Sequence, residues 1–394
     1  MSMMRAAVLC APRCIEVRAV AAAHAGPRDV LLRPVAVGIC GTDMHIWSGD
    51  ANYNIGADGR AVPLEQAAQI LGHEIVAEVL ELPAQGSGGA MAHTAAPSAG
   101  AAASLRVGQR VVLDQGLNCH SQGRAPVCSY CSSGHSHHCA HYCEHGITGL
   151  PGGFAERIAV PWMNVLPLPD GLAVEHAACT EPLACVLHAC DVLLRARDAR
   201  FAFGDRVQTI AICGGGTAGQ MFVQVLRQVL GFRGRLLLSD PSPLKRGLAS
   251  THGAEALDAS AAPFDALVRA ATGGHGAELV IEASGSGGAF TQLAGALRRQ
   301  GTVLLYAHGH GGAPLSALNG LHWLEPTLLL PNGASGALDA DGRPLLYARA
   351  LQALESGAVR VDGLISRKLH GLEQVAAALE VPMGSDEIKR VVML

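Results

Sequence analysis

Hydrophobic runs of two kinds divide the chain. Strand-length stretches that are apolar throughout, at residues 207–213, 236–239, 279–283 and 301–306, alternate with segments of helical period. Strands apolar on both faces and separated by helices predict a parallel sheet covered on each side. Before this block, shorter β-branched runs such as residues 30–37 and 75–79 lie between Gly and Pro punctuation and predict small strands. After it, a helix is predicted over residues 345–355, then short strand-like pieces ending at Val391 and Val392. Residues 82–105 are rich in Ala, Gly, Ser and Pro and lack periodicity, which predicts a flexible surface insertion.

Composition narrows the function classes. A chain of 394 residues suggests two or three domains. Only 16% of residues are charged, against about 25% in an average soluble protein, and 48 are Gly. A net charge of −4 leaves no basic footprint, so nucleic acid is not expected as a partner. No secretory signal is visible, and the two long uncharged stretches are broken by Gly and polar residues, so neither a membrane span nor a membrane partner is expected. The expected location is therefore the cytoplasm. Twelve Cys in a reducing compartment point to metal ligands or catalytic groups rather than disulfides.

The run at 207–213 leads directly into Gly214-Gly215-Gly216-Thr217-Ala218-Gly219, a G-x-G-x-x-G turn. Met221, Phe222, Val225, Leu226 and Val229 then share one helical face, and Asp240 follows Gly219 by 21 residues at the end of the next apolar run. A strand, this turn, a helix and a later acidic residue form the context of a dinucleotide site. The first Gly allows the tight turn, the second the approach of the pyrophosphate, and the third close packing of helix on strand. Asp240 would accept the ribose hydroxyls and favour NAD over NADP. Lys245 and Arg246 lie just beyond it and could instead neutralise a 2′-phosphate.

Two groups of metal-ligating residues stand out. Cys128, Cys131 and Cys139 have the spacing of three thiolates on one loop, with Cys119 nine residues before and Cys143 four after. Clustered thiolates suggest a structural zinc that needs a fourth ligand. The second group is Cys40-Gly41-Thr42-Asp43-Met44-His45, Gly72-His73-Glu74 and Thr180-Glu181-Pro182-Leu183. A thiolate, an imidazole and a carboxylate from separate segments suit a catalytic zinc with an open position.

The motifs CGTDMH, LGHEIVAEV, VGQRVVL, GGFAERIAV, EPLACVLHAC, GGGTAG and ELVIEASG follow one another in order. Together they make the chain resemble a zinc-dependent medium-chain alcohol dehydrogenase, most of all the sorbitol (polyol) and threonine dehydrogenase branch. The resemblance implies an α/β protein: a GroES-like, mainly β catalytic domain of residues 1–182 and 328–394, and a Rossmann domain of residues 183–327. It implies Cys40 and His73 as catalytic zinc ligands, with Glu74 as the third and Glu181 either in the shell or holding the bound water. Thr42 and His45 match the family's proton relay, and Asp43 is placed to support the ligands. Position 125 is Ala where the family's structural lobe begins a C-x2-C pair, so Cys119 is inferred as the fourth thiolate, six residues having been inserted.

The reaction implied is reversible oxidation of a secondary alcohol in a polyol, sugar or cyclitol to a ketone, with hydride passing to NAD. L-threonine or a vicinal diol is the alternative substrate. A zinc-free enone or quinone reductase is disfavoured by Cys40, His73 and Glu74, and a non-catalytic nucleotide-binding protein by Thr42 and His45. The resemblance also implies a homodimer or homotetramer.

Overall fold

The computed structural model describes residues 2–83, 105–197, 207–334, 336–339 and 343–394. Most of the predicted insertion lies outside the described residues. The strands are β1 (Met3–Ala11), β2 (Cys14–Ala21), β3 (Asp29–Gly38), β4 (Gln69–Ile70), β5 (Glu74–Glu81), β6 (Arg110–Leu113), β7 (Gly116–Leu117), β8 (Cys143–Glu144), β9 (Ile158–Pro161) and β10 (Val165–Pro167). They are followed by β11 (Thr209–Cys213), β12 (Arg235–Asp240), β13 (Glu255–Asp258), β14 (Ala277–Glu282), β15 (Leu297–Leu305), β16 (Thr327–Leu329), β17 (Ile365–His370) and β18 (Lys389–Met393).

The strands of the two chain ends share one sheet, in the order β10-β6-β5-β3-β18-β17, with β9 also paired to β3. The last strand, β18, runs antiparallel to β3 and lies at the side of the sheet that carries the first ligand segments. A small sheet β2-β1-β4 packs beside it. Residues 209–329 form a separate six-stranded sheet, β13-β12-β11-β14-β15-β16, in which every pairing is parallel. Its central strand β11 is buried along its whole length, as a strand covered by helices on both faces must be. The doubly wound sheet and the mainly β unit together make an α/β protein.

The predicted apolar runs correspond to β11, β12, β14 and β15, and the helix Leu345–Glu355 occupies the predicted residues. The hairpin of β1 and β2 and the short edge strands β13 and β16 were not anticipated. After the glycine turn, the helix Thr217–Gln224 passes into a π-helical turn over Val225–Val229. Met221, Phe222, Val225 and Leu226 are fully buried, but Val229 is 39% exposed. The wider turn rotates the next apolar position off the packed face, which corrects the face predicted from strict helical period. Among the described residues, the helical stretch Val174–Ala196 is long and apolar enough to cross a membrane, yet 78% of its most apolar 18-residue window is buried inside the protein.

Candidate active site and metal centres

Cys40 caps the helix Gly41–Ser48, which fixes it at the helix N-terminus. Asp43, fully buried, accepts hydrogen bonds from the Cys40 amide (2.9 Å) and from the Gly72 amide (3.1 Å). His73 Nδ1 is 3.3 Å from the same carboxylate. One side chain thus ties both ligand segments together. Gly72 has φ +87, and a Cβ there would meet Val37 at 2.8 Å and Phe154 at 2.9 Å, so this approach needs glycine.

Ligand atoms of Cys40, His73 and Glu74 all lie within 4.8 Å of one another. Burial pushes the His73 pKa down, but Asp43 and Cys40 outweigh it and hold His73 well above the ordinary imidazole value. A buried site that draws a proton onto its histidine is one built to hold positive charge, and the S, N, O donor set fits zinc. Glu74 forms a buried ion pair with Lys389, whose ammonium also donates to the Ile39 carbonyl (2.9 Å). A Cβ on Gly38 would stand 1.9 Å from the Glu74 carboxylate, so glycine makes room for it.

Glu181, at the start of the helix Thr180–Arg197, stands outside that close trio. Its carboxylate accepts from Gln115 Nε2 (3.3 Å) and the Cys185 thiol (3.2 Å), and the Tyr347 hydroxyl donates to the Gln115 carbonyl oxygen. Burial raises the Glu181 pKa, with His73 opposing and Glu74 adding to the shift. Thr42 Oγ1 is 3.8 Å from Cys40 Sγ. His45 lies a turn further along the same helix, partly exposed, and faces the parallel-sheet unit: a Cβ on Gly309 would be 3.9 Å from its Cε1.

Cys119, Cys128, Cys131 and Cys139 form a second compact group, their sulfurs within 4.8 Å of one another. The sulfurs of Cys119 and Cys139 are 3.5 Å apart, and those of Cys128 and Cys139 3.9 Å. Thiolates about 2.3 Å from one tetrahedral zinc sit about 3.8 Å apart. Amides of Ala140 and Cys131 lower the Cys128 pKa to about 6, whereas burial raises Cys131 and Cys139. Four sulfurs this close together suit a tetrahedral structural metal, which would balance their thiolate charge. Cys143 is not in the group, and its sulfur instead accepts from Gln122 (3.8 Å).

The glycine turn has the geometry its spacing suggests. Gly214 has φ +100, a Cβ on Gly216 would meet nothing within 4 Å, and a Cβ on Gly219 would strike the Gly214 carbonyl at 1.9 Å. Gly216 caps the helix that begins at Thr217 and Ala218, leaving the amides of its first turn open to an anion. Asp240 accepts from the Gly215 and Ser242 amides, both at 2.8 Å. Arg246 is held by the Asp240 and Pro241 carbonyls and by Asp258 at 2.9 Å. Lys245 joins the Gln220 side chain through its own carbonyl (2.8 Å).

Sequence reasoning missed Lys389, Gln115, Cys185 and Tyr347. Only Lys389 left a signal, since Lys389 and Arg390 are adjacent charges opening an otherwise apolar strand, and both are buried. The other three are ordinary side chains whose role depends on what they face.

Comparison with known proteins agrees in both halves of the chain. A profile of the alcohol dehydrogenase GroES-like domain matches residues 26–170, and one of the zinc-binding dehydrogenases matches residues 218–335. The erythritol/L-threitol dehydrogenase of Mycolicibacterium smegmatis is 28% identical over 96% of this chain and 95% of its own. The L-galactonate-5-dehydrogenase of Escherichia coli is 27% identical over 87% of this chain and 85% of its own. The L-threonine 3-dehydrogenase of Pyrococcus furiosus is 27% identical over 94% and 92%. A zinc-binding dehydrogenase of Sinorhizobium meliloti, solved with NADP bound, superposes with a TM-score of 0.76 at 28% identity and full coverage of both chains.

Proposed function

The chain belongs to the zinc-dependent medium-chain alcohol dehydrogenases, in their sorbitol and threonine dehydrogenase branch, and from that premise we propose that it oxidises a secondary carbinol of a polyol, sugar or cyclitol reversibly to the ketone. The convergence of Cys40 with His73 and Glu74 from two separate segments, with Cys40 capping the helix that carries Thr42 and His45, supports this reading. When bound, zinc supplies Lewis acidity toward a substrate oxygen, and the nicotinamide cofactor supplies the hydride acceptor.

The protein's own groups do the rest. Cys40, His73 and Glu74 hold the metal, with Lys389 balancing the charge that Glu74 brings into the interior. Asp43, whose carboxylate lies 3.3 Å from His73 Nδ1, would orient the His73 ring. Glu181, oriented by Gln115 and Cys185, would either join the metal's shell or hold its bound water. Thr42 takes the hydroxyl proton and passes it to His45, whose partial exposure opens a route to water. Cys119, Cys128, Cys131 and Cys139 hold a second, structural zinc. The turn at 214–219 takes the pyrophosphate, with Thr217 and Ala218 at the helix start and Lys245 at the edge of the site.

NAD is the preferred cofactor in this reading. The Asp240 carboxylate, buried at the end of β12, would repel a 2′-phosphate, and Arg246 is already engaged by Asp258. The domain boundaries we adopt are residues 1–182 with 328–394, and 183–327. All twelve cysteines are unpaired, which supports a reducing compartment such as the cytoplasm. We assign a homo-oligomer assembled at the β16 edge. Leu328 in β16, Leu330 just after it and Trp323 shortly before it are exposed, Trp323 by 79%, and light scattering reads the mass directly.

A substrate panel with NAD tests the reading. Polyols, aldoses, cyclitols, vicinal diols and threonine are compared by cofactor reduction. The highest kcat/KM on a polyhydroxy substrate supports it; turnover of threonine alone moves the chain to the alternative, and reduction with none refutes it.

A further inference from the structure

Glu282 is the last residue of β14 and is fully buried. It pairs in register with Cys213, the last residue of β11. From β11 the chain winds outward through β12 and β13, and from β14 it winds the other way through β15 and β16. The carboxylate therefore sits at the point where the winding reverses, which is where an open parallel sheet forms its ligand crevice.

A buried carboxylate must be satisfied, and here two loops share the task. Glu282 accepts from the Ser284 amide (2.8 Å) and the Gly285 amide (3.1 Å) in the loop after β14. It accepts from His310 Nε2 (2.7 Å) in the loop after β15. The His310 amide also donates to the Gly285 carbonyl (2.8 Å). The two loops interlock so closely that a Cβ on Gly285 would lie 2.4 Å from the His308 carbonyl, and one on Gly287 2.2 Å from that of Gly311. Gly309 has φ +118, and His310 itself has φ +51, a left-handed conformation that costs a non-glycine residue energy. The His310 ring packs on Phe290, with centroids 5.2 Å apart.

We propose that Glu282 and His310 are positioning residues that lock these two loops into the seat for the nicotinamide half of the cofactor. The proposal rests on the dinucleotide reading. The turn at 214–219 and Asp240 claim the pyrophosphate and the adenosine ribose on the β11–β12 side. A dinucleotide that crosses the reversal point lays its other half over the ends of β14 and β15. There the Gly309 backbone also comes up against His45, so the same loop joins the cofactor seat to the outer end of the proton relay. The imidazole acts through the backbone it pins.

The test compares NADH with ADP-ribose, which lacks the nicotinamide ring, on the full-length zinc-loaded enzyme. Dissociation constants for both are measured in the wild type, His310→Ala and His310→Gln, alongside zinc content and melting temperature. Loss of a charge-assisted hydrogen bond predicts that His310→Ala binds NADH about tenfold more weakly, while its ADP-ribose affinity stays within about twofold. His310→Gln keeps an N–H that reaches Glu282 and should recover most of the loss. Because ADP-ribose reports on folded protein, the ratio remains readable if the Ala variant is less stable. Equal losses for both ligands, or an unchanged ratio in a wild type that binds both, overturns the positioning role alone. A wild type that binds neither overturns the dinucleotide reading and the proposal with it.

Discussion

Replacing Asp43 with Asn should loosen the catalytic metal more than any other change outside the ligands. The carboxylate accepts from the Cys40 amide on one oxygen and from the Gly72 amide on the other, and that second oxygen also lies 3.3 Å from His73 Nδ1. An asparagine offers one accepting oxygen, and its amide nitrogen must then face one of these donors. A buried N–H left without a partner costs about 1–3 kcal/mol, and the charge that holds the His73 ring is lost as well. Changes to such outer partners of a ligating histidine typically lower metal affinity about 10- to 100-fold, about 1.4–2.7 kcal/mol at RT near 0.59 kcal/mol. Asp43→Asn should therefore release its catalytic zinc to a chromogenic chelator at concentrations about 10- to 100-fold lower, while the four-cysteine site keeps its ion. An affinity within twofold of wild type, with ordinary melting behaviour, would refute the role given to Asp43.

Cys128→Ser should bind one zinc fewer and melt earlier, since structural zinc contributes folding energy; a stable variant deficient only in turnover would show that the cysteine group is misassigned. Thr42→Ala should lower kcat about 10²- to 10⁴-fold with zinc and NAD binding nearly intact, and near-normal turnover would remove Thr42 from the relay. Asp240→Ala should lose much of the NAD preference in kcat/KM, and an unchanged ratio would show that this carboxylate does not set it. His137 and His188 are buried with ring centroids 4.7 Å apart, and burial pushes their pKa values down to about 3 and about 4. Unfolded, both titrate near 6.5, so the unfolded chain binds the extra protons and stability falls as pH drops from about 6.5 toward 4. His188→Gln should flatten that fall by about one proton, and an identical pH profile would refute it.

The sequence was most legible where chemistry imposes spacing. Gly214, Gly216 and Gly219 announced their turn because each glycine answers a separate demand: Gly214 and Gly219 meet theirs within the folded turn, and Gly216 leaves open the space a pyrophosphate would need. The need for a fourth donor alone left Cys119 and Cys143 equal; only the family resemblance, which sets a cysteine after VGQRV, singled out Cys119, and its sulfur lies with those of Cys128, Cys131 and Cys139. Lys389 could not be connected to Glu74, since the two are 315 residues apart and meet only because β18 pairs beside β3. Val229 misled because periodicity assumes an unbroken α-helix, and the π turn supplies the extra residue that turns it outward. His310 carried no motif, and Glu282, although it lies within ELVIEASG, was given no role by it: their significance comes from the strand order, which a local pattern does not encode.

Removal and return of the catalytic zinc, followed by NAD reduction on the best polyol of the panel, tests the central claim most directly. Turnover should stop when the chelator takes the ion held by Cys40, His73 and Glu74, with the four-cysteine site still loaded and the fold intact. It should return when one equivalent of zinc is restored. Steady NAD reduction by protein shown to lack that ion would contradict the account.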